Sequence, residues 1–229
     1  KRRRWLTILL VVVGLIFLAL ITGLLFGRAW LIERRGPQPT TLPQGNLPWY
    51  DDFSDPASGW QTEVDPFATV EYADGVMRVV VEAQEYLAWA WAGQSFSDFH
   101  LSIDAIQVSG PDDNEYGVLA RIGEGRSHFY CFSISGDGYF RITKYSAEDG
   151  WNLVSGDWTR SDVINLGNAT NHIDVTCDGN VLTFVVNGVQ LAQVEDSSFS
   201  RGDIGLYAGS FRYDDPVVIH FDNVSVTEP

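Results

Sequence analysis

The chain has 229 residues, with 30 Asp/Glu against 15 Lys/Arg and a formal net charge of −15. A protein this acidic is repelled by phosphate backbones and anionic headgroups, which excludes nucleic acid as a partner. The charge is unevenly spread: residues 1–35 carry +6, whereas from Gly36 onward eight Lys/Arg face 29 Asp/Glu, a balance of −21.

The N-terminal segment reads as a membrane anchor. Lys1, Arg2, Arg3 and Arg4 precede an uncharged run of 22 residues, 5–26, and Arg28, Arg34 and Arg35 follow it. At a rise of about 1.5 Å per residue the run spans about 33 Å, enough to cross a hydrocarbon core of about 30 Å. A cleaved signal peptide is the competing reading. Its apolar region is shorter and ends in a small-x-small site, which residues 24–28 (LLFGR) do not supply. The basic excess before Trp5 predicts a cytoplasmic N-terminus, a single span in the cell membrane and an extracytoplasmic C-terminal domain. The chain starts at Lys1, which leaves open a preceding cytoplasmic stretch or a processed start. Ala19, Gly23 and Gly27 form a small-xxx-small line on which a second helix can approach closely. That line raises one functional reading, a single-span accessory or scaffold subunit of a larger membrane protein complex.

Residues 36–48 (GPQPTTLPQGNLP) contain four prolines in 13 positions, which predicts an extended spacer without helix or sheet. Residues 49–229 then have the size of one all-β domain. Residues 75–82 (GVMRVVVE), 86–91 (YLAWAW) and 99–108 (FHLSIDAIQV) alternate as strands. In the last of these His100, Ser102 and Asp104 share one face, and Leu101, Ile103 and Ala105 the other. Further strands are predicted at 116–122, 128–135, 139–145, 172–177, 181–187, 204–208 and 217–226. Gly-Asp-Gly at 136–138, Asp-Gly-Asn at 178–180 and Asn-Gly at 187–188 mark tight turns. No stretch after residue 48 keeps a helical period, so the fold class is all-β, a two-sheet antiparallel sandwich or jelly roll.

Several segments together resemble a known group. They are Asp51-Asp52-Phe53-Ser54-Asp55 with Gly59-Trp60, residues 114–121 (NEYGVLAR), residues 129–140 (FYCFSISGDGYF), Val186-Asn187-Gly188, residues 202–209 (GDIGLYAG) and residues 220–224 (HFDNV). This set is similar to the concanavalin A-like lectin/glucanase superfamily, and within it to laminin-G-like jelly rolls that bacteria display on membrane anchors. The resemblance covers nearly all of residues 49–229. It implies a jelly-roll sandwich, and a superfamily of lectins, glycoside hydrolases and adhesion modules leaves the function open among them. The residues also have plain structural uses. Gly202-Asp203-Ile204-Gly205-Leu206 reads as a turn entering a buried strand, and residues 221–224 read as a last strand that pairs with the opening Asp51-Asp52-Phe53 segment.

Catalysis finds little support in the pattern. Glycoside hydrolysis uses two carboxylates flanking the bond, and enzymes of the resembled fold present them as Glu-x-Asp-x-x-Glu, which is absent. Asp112, Asp113 and Glu115 read as solvated residues of a Pro-led loop, and Asp104 stands alone on its face. The four histidines, at 100, 128, 172 and 220, show no metal spacing and read as strand-surface residues. No Gly-x-Ser-x-Gly elbow, His-Glu-x-x-His helix or phosphate loop is present. The reading is therefore a non-enzymatic module at the outer face that binds glycan or protein, with a glycoside hydrolase as the remote alternative. Aromatic faces stack on sugar C–H groups while polar neighbours fix the hydroxyls. The candidates are Trp151 and Trp158, which flank a polar loop, with Tyr130, His128 and Arg141. Most other aromatics are expected to fill the core.

No cofactor is expected apart from a structural calcium. Asp52 or Asp55 could meet Asp222 at the seam of the first and last strands, as happens in related sandwiches; a solvated acidic edge is the alternative. Cys131 and Cys177 both fall in strands beyond the membrane. They allow either a disulfide that clamps neighbouring strands or two buried free thiols.

Overall fold

The computed structural model describes residues 42–211 and 215–229. The expected anchor over residues 5–26, its Ala19, Gly23 and Gly27 line, and residues 36–41 of the spacer lie outside the described residues. Among the described residues no helix is long and apolar enough to cross a membrane.

The described chain is strand after strand. Strands β1 (Trp49–Asp51), β2 (Glu63–Val64), β3 (Ala68–Ala73), β4 (Val76–Val81) and β5 (Tyr86–Trp91) come first. Next are β6 (Phe99–Ser109), β7 (Asn114–Ile122), β8 (His128–Ile134), β9 (Tyr139–Ser146), β10 (Gly150–Leu153) and β11 (Thr159–Arg160). The last are β12 (Asn171–Asp178), β13 (Val181–Val186), β14 (Val189–Glu195), β15 (Asp203–Ser210) and β16 (Val217–Thr227). They form two antiparallel sheets. One has nine strands in the order β14-β13-β12-β6-β16-β4-β3-β2, with β1 paired to β16. The other has seven in the order β10-β9-β8-β7-β15-β5, with β11 paired to β9. The order is non-sequential in both sheets, so adjacent strands come from distant parts of the chain. This is a jelly-roll-type sandwich.

Period-2 alternation explains the core. In β6, Phe99, Leu101, Ile103 and Ala105 are fully buried, while the residues between them point out of the sheet. Each large apolar side chain buried this way contributes about 1.5–3 kcal/mol. Facing them from the other sheet are Tyr116, Val118 and Ala120 of β7 and Tyr130, Phe132 and Ile134 of β8. The opening strand pairs with the closing one in the register Asp51↔Val224. Asn187 and Gly188 take positive φ, 50° and 77°, which is the chemistry of a two-residue hairpin turn between β13 and β14. Gly117 has another use: a Cβ there would stand 2.1 Å from the Phe132 carbonyl oxygen of the neighbouring strand.

Several of the expected features can be located on this sandwich. The end of the Pro-rich spacer is docked on the sandwich, because Gly45 N donates to Ser95 O and Ser95 N to Pro43 O. The polar edge strand β14 is a strand without a buried stripe, so its sequence lacks the signal that marks the others. Cys131 sits on β8 and Cys177 on β12, in opposite sheets. Both are free, so the clamp between neighbouring strands is not made. Burial pushes each thiol up to about 12, which leaves them protonated and unreactive at neutral pH. Asp52 accepts from Ser54 N at 3.0 Å, Asp55 from Ala57 N at 2.9 Å and Asp222 from Asn223 N at 2.7 Å. Each of these carboxylates serves a local turn. Among the described residues no three His, Cys, Asp or Glu stand together so as to hold a metal ion.

Candidate functional site

The outer face of the seven-stranded sheet carries the most structured site. Alternation on β9 sends Phe140 and Ile142 into the core and turns Arg141, Thr143 and Tyr145 outward. Strand β10 pairs with β9 so that Trp151 lies opposite Tyr145 and Leu153 opposite Thr143. The sequence places Trp151 at the edge of a polar loop. It stands on a strand instead, because Gly150 takes φ 71° and reverses the chain one residue earlier. From the other side, β5 contributes Leu87 and β7 contributes Glu115. Gly209 of β15 lies between them in register. A Cβ on Gly209 would come within 2.4 Å of Leu87 and 2.9 Å of Glu115, so its absence opens the space these side chains share.

The result is a cavity of about 320 Å³, lined by Leu87, Glu115, Arg141, Thr143, Trp151 and Leu153 with Glu85, Tyr86, Asn152, Ser210 and Phe211. Trp151 forms its exposed wall, with 49% of its surface open to solvent. Behind it, Phe129 stacks on Tyr145 at 5.4 Å and meets the Trp151 ring edge-on at 5.5 Å. This aromatic layer seals a second small core of Leu119, Ile122, Phe129, Cys131 and Tyr207 on the outer side of the sheet.

The polar groups at the base hold one another in place. Arg141 Nη2 donates to Glu115 Oε2 at 3.1 Å. The Arg141 guanidinium lies 4.3 Å over the Trp158 ring, and Trp158 meets Phe211 edge-on. Tyr207 lies opposite Gly117, and Gly117 opposite Ser133. The missing side chain lets the Tyr207 hydroxyl donate to Ser133 Oγ at 2.6 Å. Glu115 is 6% exposed, and its carboxyl is raised by burial, a shift that Arg141 opposes. Two polar atoms of the site are left over. Among the described residues neither Arg141 Nε nor Thr143 Oγ1 has a hydrogen-bond partner, although both are buried. A buried donor without an acceptor costs about 1–3 kcal/mol, and a bound oxygen would remove that cost.

The structure therefore brings Arg141 and Trp151 to one cavity and places Trp158 against Arg141. It does not bring Tyr130 or His128 there. Tyr130 faces the core, fully buried, with its hydroxyl donated to Asp196 Oδ1 at 2.6 Å. His128 stacks on Phe199 at 4.3 Å. Glu115 and Thr143 are site residues that the sequence pattern does not single out. Pro111 and the acidic pair after it suggest a loop, yet β7 starts at Asn114 and buries Glu115. The alternation of Glu115, Gly117 and Leu119 is the available signal.

A second polar group lies on the outer face of the nine-stranded sheet. Asp104 is not alone: it accepts from His172 Nδ1 at 2.7 Å and Asn223 Nδ2 at 3.1 Å. His100 and His172 both approach Asp174, at 3.4 and 3.5 Å, and Ser102 donates to Asp174. These groups satisfy one another across the pairings of β6 with β12 and with β16.

A family model described as a 3-keto-alpha-glucoside-1,2-lyase-like domain matches residues 49–227. No curated protein matches the chain. Among solved structures, the carbohydrate-binding module CBM66 from Bacillus subtilis is similar, with 17% identity over 75% of this chain and 96% of that one, at a TM-score of 0.58. A beta-glucanase from Bacillus licheniformis is similar at 14% identity over 81% of this chain and 100% of its own, with a TM-score of 0.60. A Bacillus subtilis protein with a galectin-like fold shows 12% identity over 81% of this chain and 97% of its own, with a TM-score of 0.59. At these identities the likeness is one of fold, and the fold is the concanavalin A-like jelly roll.

Proposed function

From the premise that this chain belongs to the family of 3-keto-alpha-glucoside-1,2-lyase-like domains, we propose that it is a membrane-anchored carbohydrate-binding protein. The Arg141–Trp151 cavity is its binding site, and it performs no chemistry there. One observation carries the reading. An exposed indole stands beside two buried polar atoms, Arg141 Nε and Thr143 Oγ1, that have no partner among the described residues. A sugar ring offers both complements, a C–H face for Trp151 and oxygens for the unpartnered donors. Similar folds in a carbohydrate-binding module and a beta-glucanase support a sugar as the class of ligand.

A cleaving activity has one observation in its favour. Glu115 is a buried carboxyl with a raised pKa beside Arg141, the kind of group that serves as a general acid or base. The two readings separate in one experiment. The full chain in detergent micelles is titrated with neutral gluco-oligosaccharides by calorimetry, and the same samples are then analysed by chromatography. Saturable heat with the oligosaccharides intact supports the binding protein. Product release that Glu115→Gln abolishes would establish the enzyme instead.

The proposed location rests on the apolar run at residues 5–26 and the acidity beyond it. Protease added to intact, right-side-out cells should release the domain from about Pro48 onward. Full protection of the domain under those conditions would reverse the orientation.

A further inference from the structure

Resting on the carbohydrate reading of the Arg141–Trp151 cavity, we infer that the site selects uncharged sugars and turns away uronate, sialate and sulfated ones, and that Glu115 is the residue that sets this preference. Among the described residues that line the cavity Arg141 is the only cation, and Glu85 and Glu115 are carboxylates. The guanidinium is already engaged. Its Nη2 donates to Glu115 at 3.1 Å, and its face is covered by Trp158 at 4.3 Å. What remains for a ligand is Arg141 Nε, a donor, and the Thr143 hydroxyl. A sugar hydroxyl or ring oxygen satisfies these without bringing charge. A ligand carboxylate would place a second negative group against a cation that Glu115 has neutralised. Glu115 is 6% exposed, so water screens that repulsion poorly. Gly209 strengthens the constraint, because it lets Glu115 and Leu87 close in on the cavity floor.

Titration of Glu115 gives a second handle. The groups that face it are Arg141 from β9, Tyr207 from β15 and Cys131 from β8, and Glu85 lines the same cavity. Burial raises the Glu115 carboxyl, so it takes up its proton at a higher pH than an exposed glutamate. Protonation removes the negative charge, while a ligand uronate stays ionised. Acidic sugars should therefore gain affinity as the pH falls, and neutral sugars should change little.

The test measures the full chain in detergent micelles against cellotriose, maltotriose and laminaritriose on one side, and trigalacturonate and 3′-sialyllactose on the other. At least one neutral trisaccharide should bind about tenfold or more tighter than either acidic one. Glu115→Gln should tighten the acidic sugars several-fold and narrow the gap. In the unmutated protein the gap should narrow in the same direction as the pH is lowered from about 7.5 to about 5, which keeps the test independent of whether the variant folds. Acidic sugars bound as tightly as neutral ones would overturn this inference and leave the carbohydrate reading intact. A gap that neither the substitution nor the pH change alters would remove Glu115 from the role. Binding of none of the five sugars would overturn the carbohydrate reading and this inference with it.

Discussion

Arg121→Met should cost the domain about 3 kcal/mol or more of stability. Its side chain is 1% exposed, yet it carries a full charge. It lies on β7 beside the register shift against β15, with a positive φ of 54°. There it donates to Ser97 O from Nε at 3.1 Å and from Nη2 at 2.9 Å. Nη1 reaches Gly179 O and Phe199 O, each at 2.9 Å, and Nη2 reaches Asp98 Oδ1 at 3.1 Å. One side chain thus ties the entrance to β6, the β12–β13 turn and the segment before β15. Methionine fills similar volume but leaves these carbonyls without a donor. Lysine would restore the charge but not the planar fork, so Arg121→Lys should recover only part of the loss. In thermal unfolding Arg121→Met should melt about 10 °C lower than the unmutated chain. A loss below about 1 kcal/mol would mean that the loop carbonyls find water and that Arg121 is not a tie.

For binding, the largest effect is expected at Trp151. Trp151→Ala removes the exposed wall of the cavity and should weaken sugar binding by about 2 kcal/mol, roughly thirtyfold. The fold should persist, because the ring is 49% exposed and its neighbours Phe129 and Tyr145 stack on each other without it. Trp158→Ala should act differently. Its ring lies against the Arg141 guanidinium at 4.3 Å, so it positions that group rather than lining the cavity. A smaller loss is expected, because Glu115 still holds the guanidinium at 3.1 Å when the ring is gone. Calorimetry with a neutral trisaccharide reads both variants, and circular dichroism checks their folding. Undiminished binding in Trp151→Ala would move the site off this face. A large fall in melting temperature for the same variant would make Trp151 a lid on the small outer core.

Glu115, Thr143 and Tyr130 show where local pattern stops being informative. Glu115 reads as a loop residue because Pro111, Asp112 and Asp113 precede it, and its burial depends on β8, β9 and β15. Thr143 has no distinguishing neighbours in sequence, and its unpartnered hydroxyl exists only where β10 pairs alongside it. Tyr130 and Arg141 both look like polar-tipped strand residues. Alternation says that residues two apart share a face but not which face meets the other sheet, and Tyr130 went inward while Arg141 went outward.

The sequence by itself determined the all-β class, most of the strand positions and the hairpin at Asn187-Gly188. Those features follow from a two-residue period, β-branched composition and turn chemistry, all of which act over a few neighbouring residues. Only the tertiary structure decided the cavity, the separation of Cys131 from Cys177 and the burial of Arg121. Each depends on which strands lie side by side. The sheet orders β14-β13-β12-β6-β16-β4-β3-β2 and β10-β9-β8-β7-β15-β5 join strands far apart in the chain, and no local period encodes that adjacency.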